Sequence, residues 1–240
     1  MKPFLLLVAR PDSPIKADEV NALCRYGHLR RQDIHTINLL APITHPLDFS
    51  AYSGVFISGS PYNYLTPADE KSTEQRLVES QLIDLCSILV ERDIPTLGLC
   101  YGLQMLALAA GGTLTTAYHE DMQPMSINLT DAGRTDPLAR RLPDSFLGYV
   151  AHAEAVDVIP RDMEVLASSE SCPVQLARIK TNIYGTQHHP EIDRDGIAIR
   201  VAQYVGVYFT KEEHPAVLAA VQAVHTEQRL ITYFVEKYGA

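Results

Sequence analysis

The chain has little that would tie it to a membrane, a nucleic acid or a nucleotide. Its one apolar stretch near the start, Phe4-Leu5-Leu6-Leu7-Val8, is followed at once by Arg10 and Asp12. That is too short for a bilayer span or the apolar part of a secretory signal, and it reads as a buried first strand. No block of Lys or Arg occurs, and acidic residues outnumber basic ones by 29 to 20 for a formal charge of −9, so nucleic acid is not an expected partner. Cysteine is sparse: Cys24, Cys86, Cys100 and Cys172 show no C-x-x-C spacing, which fits a reducing, cytoplasmic setting. There is no Gly-Lys-Ser/Thr phosphate loop, no His-x-x-x-His pair, no internal repeat and no low-complexity tract.

What is present is ordinary globular composition, 46% apolar and 20% charged over 240 residues, ample for a full core. No linker divides it, so residues 1–240 are expected to form a single domain, with a catalytic core at about 4–191 and closing helices at about 195–238. Strands expected at 4–8, 34–40 and 52–58 alternate with helical patterns opening at Ser13-Pro14 and running between Asp69 and Arg92. Such alternation indicates parallel βαβ units under two helical layers. Between 113 and 187 the texture changes to short β-like runs at 113–117, 126–129, 146–150, 156–159, 174–179 and 183–187, suited to added antiparallel strands. Helical patterns at about 195–208 and 215–238 close the chain, the last with an apolar face that suits packing on the sheet.

The stretch Thr96-Leu97-Gly98-Leu99-Cys100-Tyr101-Gly102-Leu103-Gln104-Met105 organises the rest. An apolar strand leaves the core and reverses into a helix, with Gly98 and Gly102 bracketing one exposed side chain and permitting a strained turn and close packing. That side chain is Cys100, at the amino end of a helix where free N–H groups and the dipole favour a thiolate. Most free cysteines are inert core residues, but a second constellation favours chemistry here. In Ile183-Tyr184-Gly185-Thr186-Gln187-His188-His189-Pro190-Glu191, His189 and Glu191 are two apart in chain that Pro190 holds extended, so they share a side. The carboxylate then fixes the imidazole tautomer, and the other ring nitrogen is left for Cys100. His188 faces the opposite way and reads as a packed strand residue. A metal held by His152, His189 and Glu191 is the minor alternative.

Taken together, the elbow around Cys100, the later His189-Pro190-Glu191 and the Ile57-Ser58-Gly59-Ser60-Pro61 turn resemble the class I, triad-type glutamine amidotransferases over roughly 4–191, in particular free-standing proteins similar to the amidotransferase domain of GMP synthetase. Chain order separates them from α/β-hydrolases, whose acid precedes the histidine. The resemblance implies a flavodoxin-like α/β fold with a mostly parallel central sheet, flanking helices and added antiparallel strands. It implies Cys100 as nucleophile, His189 as base and acid, and Glu191 as the orienting carboxylate. The backbone N–H groups of Ser60 and Tyr101, with Gly59 adjacent, would form the oxyanion hole, and Gln104, with His152 a further candidate, would contact substrate.

The implied reaction is hydrolysis of the glutamine side-chain amide through a γ-glutamyl thioester, without a cofactor, releasing ammonia to a separate synthetase. Two departures bear on this. Gly59-Ser60-Pro61 stands where the subgroup often has Gly-Gly-Pro, and Ala151-His152-Ala153-Glu154 where it has Ser-His-Gly-Asp. The first also resembles γ-glutamyl peptidases of this fold, so a γ-glutamyl peptide or conjugate is the alternative substrate. A non-catalytic regulatory binding module is the alternative of another class.

Overall fold

All five residues of the first strand, β1 (Phe4–Val8), are buried, because helices cover both faces of the sheet in which it lies. Phe4, Leu6 and Val8 pack into one layer while Leu5 and Leu7 pack into the other, the alternation that a strand imposes on a continuous apolar run. This computed structural model describes residues 2–205 and 210–239.

The parallel half is built from β1, β2 (Ile34–Asn38), β3 (Val55–Ile57) and β4 (Thr96–Leu99). Their connections include α1 (Pro14–Tyr26) and α2 (Thr73–Arg92). Ser13 caps α1 by accepting from Lys16 N, with Pro14 opening the helix. Helix α3 (Tyr101–Ala109) follows β4 after one residue. The remaining strands and α-helices among the described residues are β5 (Leu114–Thr115), β6 (Glu120–Leu129), α4 (Asp131–Thr135), β7 (Ser145–His152), β8 (Ala155–Val156), β9 (Met163–Ser168), β10 (Leu176–Ile179), β11 (Ile183–Thr186), α5 (Arg194–Tyr204), α6 (His214–Gln222) and α7 (Arg229–Tyr238).

The main sheet runs β2-β1-β3-β4-β11-β10-β9-β6-β7, and β5 pairs with β8 apart from it. Strands β2, β1, β3, β4 and β11 are parallel, and the others join antiparallel. The expected α/β architecture with a parallel centre and antiparallel additions is therefore present. On one face α1 and α7 bury Val20, Leu23, Ile231 and Phe234 against β1 and β3, with Phe234 meeting Phe4 and Phe56 at 6.2 and 5.5 Å between ring centroids. On the other, α2 and α3 bury Val78, Leu82, Leu89 and Leu103 against Leu5, Leu7 and Ile57.

Several elements differ from the sequence expectation. Strand β9 was not anticipated, since Met163-Glu164-Val165-Leu166-Ala167-Ser168 mixes exposed and buried positions without strict alternation. Strand β6 begins at Glu120 rather than 126; its Pro124 is tolerated because β6 meets β9 only at Asn128 and Leu129, so the earlier stretch is laddered on the β7 side alone. The closing pattern divides into α6 and α7, of which α7 packs on the sheet while Val221 of α6 packs with Tyr149, Ile192 and Val201. Helix α5 ends at Tyr204, and the 206–208 part of the pattern expected there lies outside the described residues.

The turn from β4 into α3 fixes the distance between neighbouring backbones. Cys100 itself carries the positive φ, 50° with ψ −98°, whereas Gly98 and Gly102 have no positive φ. These two glycines serve close approach. A Cβ on Gly98 would lie 2.6 Å from Gly102 C, and one on Gly102 would lie 2.8 Å from Ile57 O. Both obstacles are backbone and cannot rotate away. Gly102→Ala is expected to lower stability by about 1–3 kcal/mol, read as a fall of several degrees in the thermal midpoint; an unchanged midpoint would contradict this packing.

Candidate functional site

Three parallel strands deliver their carboxyl ends to one place. β3 runs out through Ser58-Gly59-Ser60, β4 through Cys100, and β11 through 187–191. Thr186 lies in register with Leu99, and Cys100 N donates to Thr186 O at 2.6 Å, so the chain leaving β11 starts beside the sulfur. His189 is then held from the other side, its N–H donating to Tyr149 O of β7 at 2.8 Å.

His189 Nδ1 lies 2.7 Å from Glu191 Oε1. A carboxylate only accepts, so Nδ1 carries the hydrogen. The Cys100 sulfur acts electrostatically on the same ring, and with Nδ1 engaged by Glu191, Nε2 is the nitrogen left to face it. Cys100, His189 and Glu191 are thus brought together, all buried. Burial opposes the charged ring, but the Glu191 carboxylate and the Cys100 sulfur outweigh it and hold the His189 value well above the ordinary histidine range. Burial likewise opposes ionisation of Glu191, but His189 and Arg200 hold it below the usual carboxylate range. The geometry favours an ion pair between ring and carboxylate.

Behind this group lies a second set of buried charges. Arg200 Nη2 stands 4.0 Å from Glu191 Oε1, while its Nη1 donates to Asp18 Oδ2 at 2.7 Å and to Gly196 O at 3.0 Å. Arg10 Nη2 pairs with Glu19 Oε1 at 3.0 Å. Burial pushes the Glu19 carboxyl up, and Arg10 and Arg200 pull it back. Gly59 is wedged into this set: a Cβ there would meet Arg10 Nη2 at 3.0 Å and His189 Cε1 at 3.5 Å. The Gly59 turn therefore lies directly against the imidazole. Ser60 is anchored by its hydroxyl, which donates to Ala9 O at 2.8 Å and accepts from Tyr62 N at 3.1 Å. Tyr101 opens α3, where the first N–H groups have no intrahelical acceptor.

Gln104 projects from the same helix, its Nε2 donating to Glu154 O at 2.6 Å and to Gln187 Oε1 at 3.3 Å. Gln187 in turn donates from Nε2 to Cys100 Sγ at 3.4 Å. Gln187, Arg10 and Glu19 were not singled out in the sequence. For Gln187 a signal existed, because the extended register that places His189 and Glu191 on one side places residue 187 there too. No local pattern announces Arg10 and Glu19, which meet only after β1 and α1 pack.

His188 points away, edge-on to Phe146 at 5.6 Å, with Nδ1 on Gln175 O at 2.9 Å. Burial lowers its value to about 4, so it is a neutral core residue. His152 does not meet His189 and Glu191 as a shared ligand set. It joins Glu120 and Cys172, whose potential ligand atoms and its own lie within 4.8 Å of one another. Hydrogen bonds account for that cluster: His152 Nε2 meets Glu120 Oε2 at 2.7 Å and Nδ1 meets Glu154 O at 3.1 Å. Glu120 also accepts from Gln175 Nε2 at 2.6 Å and from the Ser169 and Ser171 hydroxyls. Burial pushes the Cys172 thiol up to about 12, a poor state for a metal ligand. Both ring nitrogens of His152 thus face acceptors of the protein itself.

The family model described as "Glutamine amidotransferase class-I" matches residues 18–195. A glutamine-hydrolyzing GMP synthase from Ruminiclostridium cellulolyticum is 32% identical over 103 residues, 42% of this chain but 20% of that protein. The chain thus spans only a small part of that relative. One subunit of the glutamine-hydrolyzing GMP synthase from Sulfurisphaera tokodaii is 28% identical over 182 residues, covering 74% of this chain and 89% of that one. Among solved structures, a glutamine amidotransferase from Thermotoga maritima superposes with a TM-score of 0.70 at 17% identity, covering 98% of this chain and 99% of that one; at that identity the likeness concerns the fold.

The raised His189 value contributes stability that is complete below the ordinary histidine range and lost as pH climbs through the raised value. The lowered Glu191 value contributes stability complete above the ordinary carboxylate range and lost in acid. Histidine 15N NMR at about pH 7.5 should find His189 doubly protonated, since free histidine titrates near 6.5. In Glu191→Gln, where burial dominates, the ring should be neutral at that pH. A neutral ring in the unaltered protein would contradict the ion pair.

Proposed function

Because this chain belongs to the class I glutamine amidotransferase family, we propose that it hydrolyses the side-chain amide of glutamine through a thioester on Cys100. The observation that carries the reading is the convergence of Cys100, His189 and Glu191 at the ends of β4 and β11, with the His189–Glu191 bond at 2.7 Å. The Cys100 sulfur attacks the amide carbon, and the carbonyl oxygen gains negative charge. The backbone N–H groups of Ser60 and Tyr101, beside Gly59, receive that charge. The proton held on His189 passes to the departing nitrogen, the C–N bond breaks and ammonia leaves. His189 then takes a proton from water as it attacks the thioester; glutamate departs, and the proton returns the site to its starting state. Glu191 holds the ring in one tautomer throughout. Gln104, with His152 as a further candidate, would contact the substrate's remaining groups.

The relative named as one subunit of a GMP synthase supports a separate synthetase polypeptide that accepts the ammonia. No described helix is long and apolar enough to cross a membrane. The Ser58-Gly59-Ser60-Pro61 turn keeps the γ-glutamyl peptidase reading as the competitor, since both reactions share the thioester.

Glutamate release from glutamine and from a panel of γ-glutamyl peptides and conjugates distinguishes them. Glutamine should be the preferred substrate, with turnover falling by roughly a thousandfold or more in Cys100→Ala. Faster cleavage of a peptide or conjugate would replace amidotransferase with peptidase. Failure of a glutamine-analogue electrophile to label Cys100 in the folded protein would favour a binding module.

A further inference from the structure

We propose that Gln187 is a catalytic residue of this site, donating a side-chain hydrogen bond to Cys100 Sγ that holds the sulfur in its thiolate form and in line with the elbow. The inference rests on the reading of Cys100 as the nucleophile.

The direction of this bond follows from a chain of partners that begins at a backbone carbonyl. Glu154 O can only accept, and the Gln104 amide meets it at 2.6 Å, so that end of Gln104 is its NH2 group. The same nitrogen faces the Gln187 amide at 3.3 Å, so the facing end of Gln187 is its oxygen. The opposite end is therefore NH2, and it faces Cys100 Sγ at 3.4 Å. The amide is fully buried. Its backbone is fixed as well, with Gln187 N donating to Gln175 O at 2.9 Å and the preceding carbonyl accepting from Cys100 N at 2.6 Å. Gln187 is thus anchored to both neighbouring strand ends and oriented from behind.

A hydrogen bond donated to sulfur favours the anion over the thiol, and it strengthens as charge grows on the acceptor. It supplements the proton on His189 from a different direction. No proton leaves Gln187. When the thiolate forms the thioester its charge is consumed and the bond weakens, and when water releases glutamate the thiolate and its bond return. A purely structural Gln187 would brace β10 and β11 without altering how Cys100 titrates.

The test is the rate at which iodoacetamide alkylates Cys100, followed at that residue by mass spectrometry from about pH 5 to about pH 9. This readout needs no turnover, so absence of glutaminase activity would remove the proposed reaction while leaving the Gln187 bond measurable. In Gln187→Leu the pH of half-maximal alkylation should rise by about one unit, with roughly a tenfold slower reaction near neutrality. Gln104→Met, which removes the group that orients the Gln187 amide and leaves Gln187 itself in place, should move it part of the way. Alkylation of the peptide that carries the partly exposed Cys24 serves as the internal control. A Gln187→Leu protein that melts cooperatively and gives a profile superimposable on the unaltered protein would overturn the proposal. Should that variant not fold, the Gln104→Met profile decides in the same way, a coincident curve overturning it.

Discussion

The site depends on one backbone contact, the seating of Gly102 against the carbonyl of Ile57. It lets α3 start immediately beyond β4, within a single residue of the sheet's edge. Cys100 must then make the whole reversal itself, in a conformation that an L-residue adopts at a cost of about 1–3 kcal/mol. The same contact fixes the height of the elbow over β3, hence the spacing between Cys100 and the Gly59 turn that continues from Ile57. Strand β11, parallel to β4 on the other side, brings 187–191 to the same level. The functional group is thus a product of sheet register rather than of loop conformation, which gives it a rigid support.

Burying the group creates an electrostatic problem that the fold answers in layers. His189 and Glu191 neutralise one another, but the Glu191 Oε2 atom has no hydrogen-bond partner. Arg200 lies on that carboxylate from behind, itself held by Asp18. Arg10 and Glu19 add a further pair against Gly59. Such buried pairs contribute little net stability because desolvation offsets their attraction. Their value here is positional: removing any one ion leaves another uncompensated, so the ring and the Gly59 turn are locked into one mutual arrangement.

This division also explains what the sequence disclosed. The elbow was legible because glycines flanking a cysteine at a strand-to-helix junction have few other uses. His189 and Glu191 were legible because extended chain puts alternate residues on one side. Both are local patterns. The roles of Gly98 and Gly102 were read only in part: they were expected to ease a strained turn, but Cys100 carries that strain and they admit neighbouring backbones. Arg10, Glu19 and Arg200 lie after β1, in α1 and in the distant α5, and only the packing of α1 and α5 beside the end of β1 assembles them. Strand β9 escaped notice for a related reason, since its neighbours β10 and β6 define its faces and its own alternation does not.

Glu154 connects the elbow to the segment that follows the Ser60 turn. Its backbone carbonyl receives Gln104 and faces His152, while its carboxylate accepts from Leu65 N at 2.8 Å. The same segment is gripped from α2 and the chain just before it, with Gln75 donating to Asn63 O and Lys71 to Tyr64 O at 2.8 and 2.6 Å. Three side chains thus restrain three successive residues close behind Ser60, the proposed oxyanion donor. Since donors must sit within a few tenths of an ångström of a developing charge to be effective, this clamp matters to chemistry as much as the ion pairs behind His189. It also gives the Ala151-His152-Ala153-Glu154 sequence a physical meaning. A side chain longer than aspartate at position 154 reaches the loop while its carbonyl stays with Gln104, so the wall behind the proposed nucleophile and the turn in front of it are set by a single residue.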